Sequence, residues 1–393
     1  MNYNQIILFL FVLLPLHFFC QSKITGTVYD EQSKQPIEFA SVYIDGSTNG
    51  TMSDAVGNFH LEKIKFPCTL VLSHLSYNPK SVFLTDNKLS PLNVSMNIRN
   101  VKIQVVDVKD KNLRERNLSL FRREFLGEDI WGQYAKIENE EVIHFTKDYE
   151  PGQSKIYNKI LPNFIKEDGI EIQWSEDSTI VTYKKAINLK ASSSQPLKIN
   201  LPLLGYTYYY DLIEFVRQYQ PDLKVDLCFN LGYSYFQELP YDGSKRDSIR
   251  LQKNRIKSYY NSAQHFRKSL YEKRLAQNGY KVYGSIIDES TGKAKLKEVD
   301  LESCLQMESD GARIIGLKNI KLEILYYKNL QGIPVDLTQR RKTSPIRSTV
   351  VFINDTCIIR DNGTVPDNSI VFGPEIGLKK FGSLLPDNYL PSE

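Results

Sequence analysis

The sequence predicts a mainly β, α+β protein: a seven-strand-type β-sandwich at the N-terminus, then a larger α+β domain carrying a long basic helix. Three observations predict it. Residues 23–103 alternate apolar and polar positions in short runs separated by Gly, Asn and Asp turns, the pattern of half-buried strands. Beyond residue 117 a helical stripe precedes several strand-like runs, and residues 247–279 hold a second, longer stripe. The length of 393 residues also exceeds the usual roughly 100 to 200 residues of one domain. The expected boundaries are 1–20 for a signal peptide, 21–105 for the sandwich, 106–116 for a linker and 117–393 for the α+β domain. A formal net charge of +4 is too small to support nucleic acid as a partner without a concentrated basic surface.

The opening stretch MNYNQIILFLFVLLPLHFFC holds no Lys, Arg, Asp or Glu, and Ile6 to Leu14 is unbroken apolar sequence. That run is shorter than the ~20 residues of a membrane span, and Pro15 and His17 interrupt it, so it reads as a secretory signal cut near Cys20 or Gln21. An uncleaved anchor and a lipid on Cys20 stay open, although bulky Phe19 stands where a lipoprotein box has a small residue. Export permits disulfides. Of the cysteines beyond the signal, Cys68, Cys228, Cys304 and Cys357, none forms a CxxC pair; buried free thiols and one bridge within the second half are both open.

In the first domain, KITGTVYD sets Ile24, Gly26 and Val28 on one face, and FASVYIDG sets Phe39, Ser41 and Tyr43 opposite Ala40, Val42 and Ile44. NFHLEKI, TLVLSHLSY and KSVFLTD continue the series, with turn signals at Asp45-Gly46, Asn49-Gly50 and Gly57-Asn58. The stretch GTMSDAVGNFHL resembles a metal loop only superficially. An EF-hand site needs carboxylates at alternate positions and a closing Glu, and this stretch offers Asp54 alone. Its expected role is a turn in which Asp54 accepts backbone N–H bonds, Gly57 takes positive φ and Phe59 re-enters the core. GTVYDEQSKQPIEFASVYIDGSTNGTMSDAVGNFHL, followed by LVLSHLSYNPKSV, resembles the carboxypeptidase-regulatory-like, transthyretin-type β-sandwich of exported Bacteroidetes proteins. Its GTV strand, PIxxASVxI strand, GTxxDxxGxF turn and SxxGY-like strand recur in order, with Ser76 where a glycine is usual. The same module precedes many TonB-dependent outer-membrane transporters, so the resemblance implies a periplasmic or outer-membrane location.

In the second domain, NLSLFRREFLG places Leu118, Phe121, Phe125 and Leu126 on one helical stripe, with Gly127 as the stop. AKIENEEVIHFTKD, the run from STIVTYKK through GYTYYYDLIEFV, and KVDLCFNLGYSYFQELP read as strands. From Asp247 to Gly279 a single long helix is expected, with Tyr259, Ala263, Phe266 and Leu270 on its apolar face. Further strands are expected at YKVYGSIID and ARIIGLKNIKLEILYY, and a hairpin at STVVFINDTCIIRDNGTV. FRREFLG, the LGY strand, NRIKSYYNSAQHFRKSLYEKRL and SLLPDNYLP resemble landmarks of uncharacterised Bacteroidetes proteins with the same front domain, in which a Gly-Ser pair is usual where this chain has Asn261-Ser262. That resemblance implies no mechanism.

No catalytic, metal or cofactor residue is assigned. A zinc peptidase needs HxxE or HExxH spacing and a third ligand, whereas His60 with Glu62, and His144 near Glu140, Glu141 and Asp148, have no second histidine nearby. There is no GxSxG elbow, no GxxxxGK[ST] and no GxGxxG. Paired carboxylates for glycoside hydrolysis would have to come from distant segments. His265 reads as a packing residue.

Two surfaces are candidates for binding. Tyr206, Tyr208 and Tyr210 could stack on a glycan, or else alternate into a core. Arg250, Lys253, Lys257, Arg267 and Lys268 could meet the anionic envelope surface, or else form a solvated helix face, which is the favoured reading. The expected function is a non-catalytic envelope protein whose sandwich docks or spaces an outer-membrane or envelope partner, such as a TonB-dependent transporter, or a glycan. The alternative is a hydrolase of envelope peptide or glycan with its site in the second domain.

Overall fold

The computed structural model describes residues 22–86, 88–99, 111–155, 173–176, 180–220, 225–240, 244–287, 294–329, 332–338, 344–365 and 369–391. The expected signal peptide with Cys20, and residues 106–110 of the expected linker, lie outside them.

The first unit is a two-sheet sandwich of seven strands: β1 (Ile24–Asp30), β2 (Ser41–Ile44), β3 (Gly50–Met52), β4 (Asn58–Leu61), β5 (Cys68–His74), β6 (Tyr77–Leu84) and β7 (Leu92–Met96). One sheet runs β4-β1-β7, with β1 and β7 parallel, and the other runs β3-β2-β5-β6. The alternation of KITGTVYD is the cause: Ile24 and Val28 bury against Val42, Phe59, Leu70 and Leu72 while Thr25 and Thr27 face outward. The expected turn forms at Asp54, whose carboxylate accepts from Val56 N at 3.0 Å and Asn58 N at 2.7 Å. Gly57 has φ +78°, and a Cβ there would come within 2.4 Å of the Val28 carbonyl oxygen, so this position excludes a side chain.

The second unit begins with α1 (Lys111–Leu126) and α2 (Ile130–Tyr134), so residues 111–116 of the expected linker are helical. Its sheet contains β8 (Lys136–Ile137), β9 (Ile143–Lys155), β10 (Gln173–Trp174), β11 (Ile180–Ser193), β12 (Leu197–Leu201), β13 (Tyr206–Gln220) and β14 (Val225–Glu238). β13 is central: β14 pairs along one side of it, and β12 and β11 share the other. The α1 stripe buries Leu118, Phe121, Phe125 and Leu126 on the inner face of this sheet, where Phe121 meets Phe215 edge-on at 4.9 Å. α3 (Lys245–Tyr259) is tied to the turn before β13, since Asn254 and Arg255 donate to the Leu203 and Leu204 carbonyls at 2.9 and 2.8 Å.

The expected single basic helix is two helices. α3 stops at Tyr259, and α4 (Ala263–Tyr271) starts afresh with the Ser262 hydroxyl accepting from His265 N at 3.1 Å. Between them Asn261 has φ +56°, the left-handed conformation that Asn tolerates and that a glycine at this point would adopt freely. The Lys379 ammonium caps the end of α3, donating to the Ser258 and Tyr260 carbonyls at 2.9 and 2.6 Å. The periodicity of the stripe is real, but Tyr259 packs into the core of the second unit while Phe266 and Leu270 pack into another.

That further core shows that the region expected as one α+β domain is built on two hydrophobic clusters. The third unit contains α4, β15 (Tyr280–Ile287), β16 (Ala294–Glu298), β17 (Leu305–Glu308), β18 (Gly311–Ile315), β19 (Lys321–Tyr326), β20 (Ile346–Phe352), β21 (Thr356–Ile359) and β22 (Ile370–Phe372). Its sheets run β16-β15-β19-β20-β22 and β17-β18-β21. The hairpin expected from STVVFINDTCIIRDNGTV therefore does not form. β20 and β21 enter different sheets, and Val350, Phe352, Cys357 and Ile359 bury in one shared core.

Candidate interaction site at the junction of the sandwich and the central sheet

The sandwich and the central sheet meet on β13 and β14, and the alternation of these strands decides which residues take part. Tyr206, Tyr208 and Tyr210 point to the inner face, exposed only 2 %, 0 % and 5 %, where Phe125, Phe236 and Phe381 surround them. The expectation that this trio contacts a ligand is corrected: a period of two turns every second residue of the strand toward α1, and these rings fill the core.

Asp211 faces the sandwich. It accepts from the Tyr43 hydroxyl at 3.1 Å and from Arg99 Nη2 at 3.2 Å, the arginine that follows β7. Both partners of the ion pair are withdrawn from water, and burial raises the Asp211 carboxyl above its ordinary range despite the two donors. Around this pair the Ser81 and Tyr233 hydroxyls meet at 2.8 Å, and the Tyr43 and Tyr235 rings lie 5.2 Å apart.

A second contact extends along the β14 edge. The turn after β2 adds backbone to the strand: Gly46 N donates to the Ser234 carbonyl at 2.8 Å, and Phe236 N donates to the Ser47 carbonyl at 2.9 Å. The Asp45 carboxylate accepts from Ser234 N at 2.8 Å. The C-terminal segment locks this turn, as Asp387 N donates to the Gly46 carbonyl at 2.7 Å and Asn388 Nδ2 to Thr48 Oγ1 at 2.9 Å. Gly46 has φ +74°, and a Cβ there would lie 2.1 Å from Asp387 Oδ2. Burial and the neighbouring Asp45 carboxylate push the Asp387 carboxyl up to about 7, against the pull of the Arg267 and Arg360 guanidiniums. Arg360 also lies over the Phe83 ring of β6 at 4.8 Å.

The five basic residues expected to share one anionic-contact surface divide between two helices. Arg250, Lys253 and Lys257 are exposed on α3, with Arg250 paired to Asp247 at 2.9 Å. Arg267 is instead drawn inward toward Asp387 and Cys357, and Lys268 is half-buried 3.8 Å from Glu272, so neither extends that surface. The helix break and the third core redirect them.

The remaining candidates have structural partners. His265 is buried with Nδ1 2.8 Å from the Tyr280 hydroxyl, and burial lowers its pKa to about 3, which keeps it a neutral packing group. His60 pairs with Glu62 at 2.9 Å on the sandwich surface. Among the described residues Cys68, Cys228, Cys304 and Cys357 form no disulfide, and burial pushes Cys68 up to about 11 and Cys228 to about 12. Among the described residues no three His, Cys, Asp or Glu side chains converge as a metal site, and no helix is long and apolar enough to cross a membrane.

Residues 24–108 match the CarboxypepD_reg-like domain family. The match covers all seven strands of the sandwich; it is the part of the junction that supplies Tyr43, Asp45, Gly46 and Arg99. No curated protein matches the chain. Among solved structures a 9R-lipoxygenase from Cyanothece PCC8801 is similar at 10 % identity and a TM-score of 0.17, covering 64 % of this chain and 48 % of that one. The chain thus spans about half of that structure's length, and likeness at this level carries no argument about fold or activity.

Asp211, Arg99, Asp45 and Asp387 were not singled out from sequence. One signal was available: Asp211 is the lone acid in GYTYYYDLI, and a carboxylate in so apolar a strand requires a buried partner.

Proposed function

We propose that the chain is a non-catalytic protein of the cell envelope in which the regulatory-like sandwich is a docking and spacing module. The observation that carries this reading is the junction: the sandwich is fixed to the central sheet by the buried Arg99–Asp211 pair and by backbone bonds from Gly46 and Ser47. Its polar side chains serve its own fold, as when Asp30 accepts from Gln32 N and Ser33 N at 2.9 and 2.6 Å, and Ser53 bridges Ala40 N and the Ile37 carbonyl at 2.9 and 2.7 Å. A module so arranged sets the position of the surfaces it leaves free. Export is supported by the apolar opening sequence and by the Bacteroidetes resemblance. The proposed partner is an outer-membrane or envelope protein, with a TonB-dependent transporter as the first candidate, and a glycan as the second; the exposed Arg250, Lys253 and Lys257 stripe of α3 would then lie toward the anionic envelope surface.

Membrane fractionation of the native host, joined to crosslinking of intact cells and mass spectrometry of the mature N-terminus, tests this reading. A chain that begins near Gln21 and crosslinks reproducibly to an outer-membrane protein supports it. A soluble protein without a partner that hydrolyses envelope peptides or glycans overturns it.

A further inference from the structure

The β14 edge is only half used. Its even-numbered residues turn their backbone N–H and C=O groups away from β13, as Ser234 and Phe236 show by bonding to Gly46 and Ser47 of the sandwich. By the same alternation Cys228, Asn230 and Gly232 present theirs outward, and among the described residues no backbone bond from another element meets them. The odd-numbered residues stand on the outer face of the sheet. There Tyr233 and Tyr235 are covered by the sandwich, but Phe229 and Leu231, just beyond it, are 50 % and 54 % exposed. Native sheets blunt such edges with Lys, Pro or a bulge, yet Leu227 to Gln237 contains no charged residue and no proline, and the register irregularity of this pair lies on β13.

We propose that two copies of this chain associate through this edge, with β14 pairing antiparallel to the partner's β14 about a two-fold axis at Asn230. The occupant and its register follow from the strand. Ser234 is already committed to the sandwich and Asp226 brings the first charge at the other end, so the uncharged free edge is residues 228–232, and a two-fold at the centre of that window pairs position 230 with itself and 228 with 232. These are the outward-facing residues, so every backbone bond of an antiparallel ladder can form. The same axis sets Phe229 opposite Leu231 at the closely spaced, non-hydrogen-bonded positions, where each apolar side chain covers the other copy's counterpart. The absence of charge removes the like-charge repulsion that a self-paired edge would otherwise suffer. The two sandwiches then flank one continuous sheet on the same face, so the pairing deepens the spacing role proposed above by fixing two docking modules at a set separation; it rests on the junction geometry and not on the identity of any envelope partner.

Sedimentation velocity on the full chain at tens of micromolar tests it. Wild type is expected to sediment as a dimer, and the doubly substituted chains Phe229→Lys/Leu231→Lys and Phe229→Glu/Leu231→Glu as monomers with unchanged circular dichroism. Mixing the two variants is expected to restore the dimer, because the register sets each introduced ammonium against a carboxylate of the other chain. A wild type that stays monomeric, variants that remain dimeric, or a mixture that fails to associate would each overturn the proposal. Asn230→Pro provides a backbone control: proline is tolerated where the N–H faces outward from an edge strand, so a folded N230P chain that still dimerises also overturns it.

Discussion

The two faces of the central sheet are buried by opposite means. On the inner face, Tyr206, Tyr208, Tyr210 and Phe215 lie under Phe121 and Phe125, in contacts that are almost wholly aromatic and apolar. On the outer face the sandwich is held by an ion pair, hydroxyl contacts and edge backbone bonds. The inner face is thus the core of a domain, and the outer face has the polar character of an interface between two domains that each own a core. Loss of an inner contact should unfold the second unit, whereas loss of an outer contact should release the sandwich as a folded module.

The largest effect is expected on the inner face. Phe121→Ala removes a fully buried ring at the centre of the cluster and should cost roughly 3–5 kcal/mol, read as a lowered urea midpoint of the whole second unit. On the outer face Arg99→Ala strands the Asp211 carboxylate without its cation, a loss of about 3 kcal/mol for a pair this withdrawn from water. Its distinguishing readout is limited proteolysis: the sandwich, β1 to β7, should be released as a resistant fragment while the second and third units also resist. Equal loss of protection throughout would erase the distinction between the faces. Gly46→Ala should cost at least about 1–2 kcal/mol, because left-handed backbone disfavours a Cβ and Asp387 occupies its space.

A pH experiment sharpens the same comparison. Asp387 is raised from 3.8 to about 7 in the folded chain, so between those values the native state holds a proton that the unfolded chain releases. Its contribution to stability is therefore present at low pH and is lost as pH rises through 7. Asp387→Asn should flatten the wild-type decline between about pH 4 and 7 and leave the variant relatively more stable at the upper end, as measured by urea unfolding at each pH. The smallest effect is expected on the exposed α3 stripe, where Lys253→Ala should change stability by less than ~0.5 kcal/mol while weakening binding to anionic vesicles if that stripe meets the envelope.

Legibility in the sequence followed the range of the interactions. The strand alternation of KITGTVYD, the Asp54 turn, the α1 stripe and the stop at Gly127 are local devices, each set by residues within a turn or two, and they are present in the structure as read. The basic run after residue 244 was legible as helix but not as two helices, because the break depends on one asparagine accepting a left-handed conformation and on Lys379, more than a hundred residues away, capping the end of α3. The tyrosines of β13 were legible as an alternating set, but a period of two has two phases, and only the position of α1 decided which phase is buried.

By itself, then, the sequence determined the β-sandwich, the mixed architecture behind it and the resemblance of residues 21–105 to a known module, since these depend on periodicity, turn chemistry and motif order. The tertiary structure alone decided that the second half has two cores, that β20 and β21 enter different sheets, and that Asp211, Arg99, Asp45 and Asp387 form the junction. The physical reason is that burial of a charge and closure of an edge are properties of what comes to lie beside a residue, and its neighbours here are 112 residues away for Arg99 and Asp211.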